Sequence, residues 1–258
     1  MPDPYTSGVS VRPDLAAVVL AAGAGTRLQP LTGLRPKALC PVANVPLVDW
    51  ALARVRQVTT SIAVNVHHGR EMLESYLFGG VHLSIERERA LGTAGALGHL
   101  RDWIGGRDVL VVNVDAWHEA DLGAFAAGWD GARTSVLVTG EPALTPESRI
   151  CAALMPWGEV RGLAPEPTGL YEVSWRAAAA RGQLDAVTYA GPFVDCGTPT
   201  DYLRANMLAS GGAPIVGRAA IVEGTLTRSV VWPGGRVRAG EALVDAIRIG
   251  ERMTVLVR

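Results

Sequence analysis

The chain has 258 residues, 48% apolar and 19% charged, which excludes an intrinsically disordered protein and leaves room for one large α/β domain with an appendage. Its 24 basic and 25 acidic residues give a net charge of -1, so the positive field of a nucleic-acid or membrane-surface binder is missing and any phosphate has to be held locally. Three cysteines, Cys40, Cys151 and Cys196, lack paired spacing, no apolar run reaches the ~20 residues of a membrane span, and a reducing cytoplasm is the expected location.

Residues 1–14, with Pro2, Pro4, Gly8 and Pro13, carry no periodicity and read as a flexible arm. Residues 15–20 form a short continuous apolar run ending in a glycine-rich turn, the pattern of a strand buried on both faces. Further strands are expected over 61–66, 81–86, 109–114 and 134–139, alternating with amphipathic helices over 47–58, 70–78, 93–104 and 121–129. That alternation predicts a Rossmann-like, mostly parallel (mixed) sheet with helices on both faces, binding ligands beyond the carboxyl ends of its strands. From 149 to 189 the pattern weakens. Strands at 151–155, 160–163 and 170–173 and a helix around 175–181 suggest a lid or substrate-side subdomain. Thr198 and Pro199 suit the cap and first position of a helix over 198–208. Val231, Val237, Leu243, Ile249 and Val255 then recur every six residues, and Ile215 and Ile221 share the spacing. This predicts a short left-handed parallel β-helix over 211–258 behind a main domain over 15–210, although a simple meander also satisfies a six-residue spacing.

Arginine is the default cation, at 23 residues against the single lysine Lys37. Such an exception marks a place where a compact ammonium does what a planar guanidinium cannot. Lys37 follows a glycine-rich turn, Gly23-Ala24-Gly25-Thr26-Arg27, whose backbone amides can approach a phosphate closely because no Cβ blocks them. A dinucleotide fingerprint needs a glycine where Leu28 stands, and a Walker loop needs Gly-Lys-Ser/Thr; neither is present.

Read through Pro30-Leu31-Thr32, Pro36-Lys37 and Pro41-Val42-Ala43-Asn44-Val45-Pro46, this segment resembles the sugar-1-phosphate nucleotidyltransferases, whose motif has the form GxGxRLxPLTxxxPKxxxPVxNxP. The resemblance implies nucleotide binding by Leu20, Ala21, Ala22, Gly23, Gly25, Thr26, Arg27 and Lys37, with the triphosphate on Gly23, Gly25, Thr26, Arg27 and Lys37. A second match, Leu91-Gly92-Thr93-Ala94-Gly95-Ala96-Leu97, implies base and ribose recognition by Gly92 and Thr93, although a helix start rich in glycine and alanine also serves close packing. Its wording is most similar to mannose-1-phosphate guanylyltransferases, which favours GTP. Asp115, closing an apolar strand, and Asp195, before Cys196-Gly197-Thr198-Pro199, match the two metal-binding aspartates of the family. They imply Mg²⁺, a hard cation that takes carboxylate oxygens and keeps waters beside phosphates. The short interval from Asp115 to Asp195 resembles compact N-acetylmuramate-1-phosphate uridylyltransferases.

The implied catalytic set is Arg27, Lys37, Asp115 and Asp195, with Asn113, Glu166 and Gly169 at the sugar phosphate. The implied partners are a nucleoside triphosphate and a sugar (or cyclitol) 1-phosphate, with no nucleic acid and no membrane, in a homo-oligomer. Two departures stand out. Val114 replaces a usual glycine, placing a side chain where substrate would approach, and Ala164-Pro165-Glu166-Pro167 lacks the family's sugar-phosphate lysine, leaving Arg161 or Arg176 as substitutes. His67 and His68 read as loop residues, and His118 either faces the sugar or sits on an exposed loop. Two other functions compete: a non-catalytic regulatory subunit on the same fold, and an acyltransferase suggested by the tail. All five histidines precede residue 119, so the tail has no histidine base for acyl transfer.

Overall fold

The computed structural model describes residues 11–257, so residues 1–10 of the expected arm lie outside the described residues. In chain order the main elements are β1 (Leu15–Leu20), α1 (Leu47–Val55), β2 (Ile62–Val66), α2 (Arg70–Leu77), β3 (His82–Ile85), α3 (Gly92–His99), β4 (Asp108–Asn113), α4 (Leu122–Ala127), β5 (Thr134–Thr139), β6 (Ile150–Met155), β7 (Leu184–Tyr189) and α5 (Pro199–Ala209). The chain divides into two compact units. One holds the residues up to Gly23, Trp50–Val114 and His118–Phe193; the other holds Ala24–Asp49, Asp115–Trp117 and the chain from Val194 onward.

The first unit is built on a seven-stranded sheet in the order β7-β5-β6-β4-β1-β2-β3. β1 lies between β4 and β2, parallel to both, and its first five residues are fully buried, as its unbroken apolar run predicts. β3 adds parallel to β2 and β7 parallel to β5, whereas β6 runs antiparallel to both β4 and β5, making the sheet mixed but mostly parallel. The core joins Val18, Val111, Val136 and Ala153 of the sheet to Leu97 of α3 and to Trp175. Arg12 is anchored to this unit: its N–H donates to the Val58 carbonyl at 2.7 Å, and its guanidinium pairs with Asp14 at 2.7 Å and donates to the Ala126 carbonyl at 3.1 Å.

Residues 149–189 correct the expectation of a lid. β6 is an interior strand of the main sheet and β7 is its edge, while the expected strands at 160–163 and 170–173 are a helical turn at Trp157–Val160 and a π-helix at Tyr171–Trp175. The apolar pairs there fit a wide helical turn, because Leu170 and Trp175 are buried while Val173 between them is 48% exposed.

In the second unit, Thr198 caps α5 by accepting the Asp201 N–H at 3.1 Å, with Pro199 at the first helical position. The tail forms short parallel pairs and closes on an antiparallel one, Ala246–Ile249 with Met253–Leu256, which sets Val255 opposite Ile247 and takes it out of the expected six-residue stack. Ile215–Val216 pairs with Val230–Val231, which pairs with Ala246–Ile249; Ile221–Val222 pairs with Arg236–Val237; and Thr225–Thr227 pairs with Ala242–Val244. Ile215, Val230 and Ile247 lie opposite one another in turn, steps of 15 and 17 residues. Val231, Val237, Leu243 and Ala246 fill the small core these strands enclose, whereas Ile221 is 52% exposed.

Candidate active site

The second unit places four of the residues singled out above in one charged cluster. The segment after Gly23 makes three separate turns of 3-10 helix, at Thr26–Leu28, Leu31–Gly33 and Lys37–Leu39, and never an α-helix. Gly25 has φ +61°, and a Cβ there would lie 2.9 Å from Thr32 Cγ2 and 3.1 Å from Lys37 Cβ. Thr32 Oγ1 donates to the Gly25 carbonyl at 2.9 Å and closes the loop. Lys37 is held beneath this turn with 8% of its side chain exposed, and Nζ donates to Asp115 Oδ2 at 2.9 Å and to Asp195 Oδ1 at 3.5 Å. Arg27 Nη2 reaches Asp195 Oδ2 at 3.5 Å and is 69% exposed. Gly197 permits this approach, since a Cβ there would meet Arg27 Nη2 at 2.9 Å. The Cys196 N–H donates to the Asp115 carbonyl at 2.9 Å, fixing the two aspartates relative to each other. Burial pushes the Cys196 thiol up to about 12, so it stays neutral inside the cluster.

Both aspartates are a little under half exposed, and each gives one carboxylate oxygen to the Lys37 ammonium. This donor set fits Mg²⁺, which takes one or two carboxylates and completes its shell with water and phosphate oxygens. A mobile loop could not hold the arrangement, and this one is braced. The hairpin Pro41–Val42/Val45–Pro46 turns through Ala43 and Asn44, both with positive φ. The Ala43 N–H donates to Asn206 Oδ1 at 3.0 Å and Asn44 Nδ2 to the Val216 carbonyl at 3.0 Å. Tyr202 donates to the Pro41 carbonyl and accepts from Trp232 Nε1 at 3.0 Å, while the Arg35 guanidinium lies 4.4 Å from the centre of the Trp232 ring.

The first unit contains the expected residues from Leu20 to Gly23, with Gly92, Thr93, Asn113, Glu166 and Gly169. A cavity of about 170 Å³ is lined by Leu20, Thr93, Asn113 and Gly169, drawn from both the nucleotide and the sugar-phosphate sets, and by Tyr171, Glu172 and Trp175, which sequence reasoning missed. Glu166 does not line it: its carbonyl lies against Gly95, and its side chain is exposed. Arg161 and Arg176 are exposed and do not line it either. Val114 is buried, 5% exposed, within the first unit.

Backbone contacts explain the wording of 91–98. Cβ atoms at Gly92, Gly95 and Gly98 would lie 2.5 Å from Thr168 O, 2.1 Å from Glu166 O and 2.6 Å from Ala164 O, so this face of α3 is a glycine stripe against which residues 163–168 lie. The Ala94 N–H donates to the Thr168 carbonyl at 3.0 Å, and Thr93 Oγ1 accepts the Leu170 N–H at 2.8 Å. Close packing therefore accounts for these glycines.

A buried chain of hydrogen bonds ties the two expected nucleotide segments together. The Ala21 N–H donates to Asn65 Oδ1 at 2.7 Å, Asn65 Nδ2 donates to Glu86 Oε1 at 2.7 Å, and Glu86 Oε2 accepts the Leu91 N–H at 2.8 Å. His67 Nδ1 lies 2.7 Å from the Glu86 carbonyl and His68 Nδ1 3.0 Å from the Ala22 carbonyl, so both histidines brace loops. His118 corrects both readings offered for it. It is 1% exposed, stacks on Phe193, and is pulled down to about 3 by burial and the nearby Arg54 guanidinium, so its ring is neutral.

The family described as Nucleotidyl transferase matches residues 16–147, half of the chain. N-acetylmuramate alpha-1-phosphate uridylyltransferase of Caulobacter vibrioides is 40% identical over 133 residues, 46% of this chain and 55% of that protein. The chain spans about half the length of that relative and of its counterpart in Neisseria meningitidis. A probable mannose-1-phosphate guanylyltransferase of rice is 25% identical over 94% of this chain and 81% of its own length. Among solved structures, one from Bacillus anthracis, assigned as a glucose-1-phosphate thymidylyltransferase and holding a sucrose, superposes with a TM-score of 0.64 at 22% identity, over 76% of this chain and 95% of the other. That likeness is one of fold.

Proposed function

Because the chain belongs to the nucleotidyl transferase family, we propose that it transfers a nucleotidyl group from a nucleoside triphosphate to a sugar 1-phosphate, giving a nucleotide sugar and pyrophosphate. The observation that carries this reading is the buried Lys37 ammonium beneath the half-exposed Asp115 and Asp195, with Arg27 alongside. An oxygen of the sugar phosphate forms a bond to the α-phosphorus as the α–β anhydride bond breaks, and pyrophosphate leaves with the electron pair. The attacking phosphate is already anionic, so no general base is needed, in keeping with the neutral, buried His118. Arg27 and Lys37 bind the triphosphate and offset its charge, the loop from Gly23 supplies backbone donors, and Asp115 and Asp195 hold Mg²⁺. When bound, that ion supplies charge neutralisation at the reacting phosphates. Asn113 and Gly169 face the sugar, with Leu20 and Thr93 beside them in the same cavity.

GTP is the first triphosphate to test, on the wording of 91–97 and its similarity to the rice protein; UTP is the second, on the Caulobacter relative. The tail is read as coils of a left-handed parallel β-helix, supported by three sets of short parallel strands in register, and a homo-oligomer in the cytoplasm is the expected setting. A regulatory subunit would have no use for two metal carboxylates. The test is release of pyrophosphate with Mg²⁺ across five triphosphates and a panel of sugar 1-phosphates. Turnover is expected in at least one combination, with loss of most of the rate in Asp115→Asn and Asp195→Asn; folded protein silent across the whole matrix refutes the reading.

A further inference from the structure

The cavity of the first unit is small and unevenly furnished. At about 170 Å³ it lies below the roughly 300–1,000 Å³ of pockets for drug-sized ligands, which leaves room for a single ring and none for a nucleoside triphosphate. Leu20, Val111, Ile150, Ala152 and Ala153 make much of its wall apolar. Trp175, 6% exposed, closes the wall with its aromatic side chain. Glu172 is the sole charged residue among those lining the cavity. Its carboxylate rests against Gly169, where a Cβ would come 2.0 Å from Oε2, so Gly169 is small in order to seat it. Cys151 in the wall stays a neutral thiol, pushed up to about 12 by burial, and Arg54, whose charge is felt there, does not line the cavity.

We propose that this cavity takes the ring of the acceptor sugar phosphate and that Glu172 makes it selective for rings without an anionic substituent. The inference rests on the nucleotidyl-transfer reading and names the acceptor class for it. With one carboxylate and no cation in the lining, the cavity offers a phosphate no counter-charge, so the ring enters and the phosphate stays outside. The hydrocarbon face of the ring lies on the apolar wall, and Glu172 accepts from a hydroxyl or pairs with an ammonium. A ring carboxylate meets Glu172 as a like charge. N-acetylmuramate 1-phosphate carries such a carboxylate on its lactyl ether, so acceptor choice here departs from what the name of the Caulobacter relative states for that protein.

The test uses the full chain with three acceptors that differ in one group: glucose 1-phosphate, glucosamine 1-phosphate and glucuronic acid 1-phosphate. Binding is measured by calorimetry and turnover by pyrophosphate release. Glucuronic acid 1-phosphate is expected to bind on the order of tenfold more weakly than glucose 1-phosphate, glucosamine 1-phosphate at least as tightly, and the gap should narrow as salt rises, since the carboxylate is exposed. Glu172→Gln is expected to shrink the glucose-to-glucuronate ratio several-fold. Equal binding of glucose and glucuronic acid phosphates by the parent chain, a ratio unmoved by Glu172→Gln, or no binding of any acceptor overturns the proposal. Silence in turnover with the binding ratios intact counts against nucleotidyl transfer and leaves the selectivity standing.

Discussion

An ammonium seated between two carboxylates and beneath a glycine turn cannot be widened without moving its surroundings. Lys37→Arg conserves charge but places a planar guanidinium where Gly25, Thr32 and the two aspartates already leave 8% of the side chain exposed. Pyrophosphate release is expected to fall about tenfold to a thousandfold, ~1.4–4 kcal/mol of transition-state stabilisation. The burial of Lys37 adds a stability loss of about 1–3 kcal/mol, seen as a lower midpoint in urea. A surface lysine would show neither effect. His118 carries a different signature. Its folded value of about 3 lies below the unfolded value near 6.5, so the unfolded chain takes up a proton that the native ring refuses. Its contribution to stability is therefore whole above pH 6.5 and drains away as the pH falls from 6.5 towards 3, at up to about 1.4 kcal/mol per unit. His118→Phe is expected to flatten that part of the stability–pH curve, followed by denaturant titration at pH 4, 5, 6 and 7.

The glycine stripe of α3 carries a prediction at the level of the element. A methyl at position 95 would lie 2.1 Å from the Glu166 carbonyl oxygen, and both partners are backbone-bound, so Gly95→Ala should cost about 1–3 kcal/mol and lower the melting temperature by several degrees. Gly158, on the helical turn Trp157–Val160 with open space around its Cα and no positive φ, is the control for overlap alone. This stripe also shows where sequence reading reached and where it stopped. β1 was legible because five successive buried residues need no partner to declare themselves. The loop from Gly23 to Lys37 was legible from its glycines, its prolines and its solitary lysine. The choice between ligand contact and close packing at Gly92 stays open in the sequence because the segment that lies on the glycines of 92–98 is some seventy residues away in the chain. β6 was placed in a lid because nothing local says that an antiparallel strand enters between β4 and β5. β7 escaped notice as an edge strand whose residues are all half-buried or exposed. Trp175 reads only as the start of a helix; that it packs into the core and lines the cavity is a property of the assembled sheet.

Across the whole molecule, the tail does more than add bulk. Trp232 stacks under Arg35 and donates to Tyr202, which in turn holds Pro41, so the loop bearing Lys37 leans on residues beyond 210. Ending the chain after Ser210 is therefore expected to lower pyrophosphate release as well as solubility, and Trp232→Ala, which keeps the strands, should reproduce the loss of rate along with about 3–5 kcal/mol of stability. Gel filtration of the shortened chain separates a change of assembly from a change of chemistry. The same long-range pairing sets a timetable for the newborn polypeptide. Lys37 leaves the ribosome long before Asp115, and Asp195 follows later still, although all three meet in one cluster. At about 5–20 residues per second, the interval between the lysine and its second carboxylate is roughly 8–30 s. Through that time a cation destined for burial waits in water, and the loop around it gains its full set of partners only once Trp232 has been made.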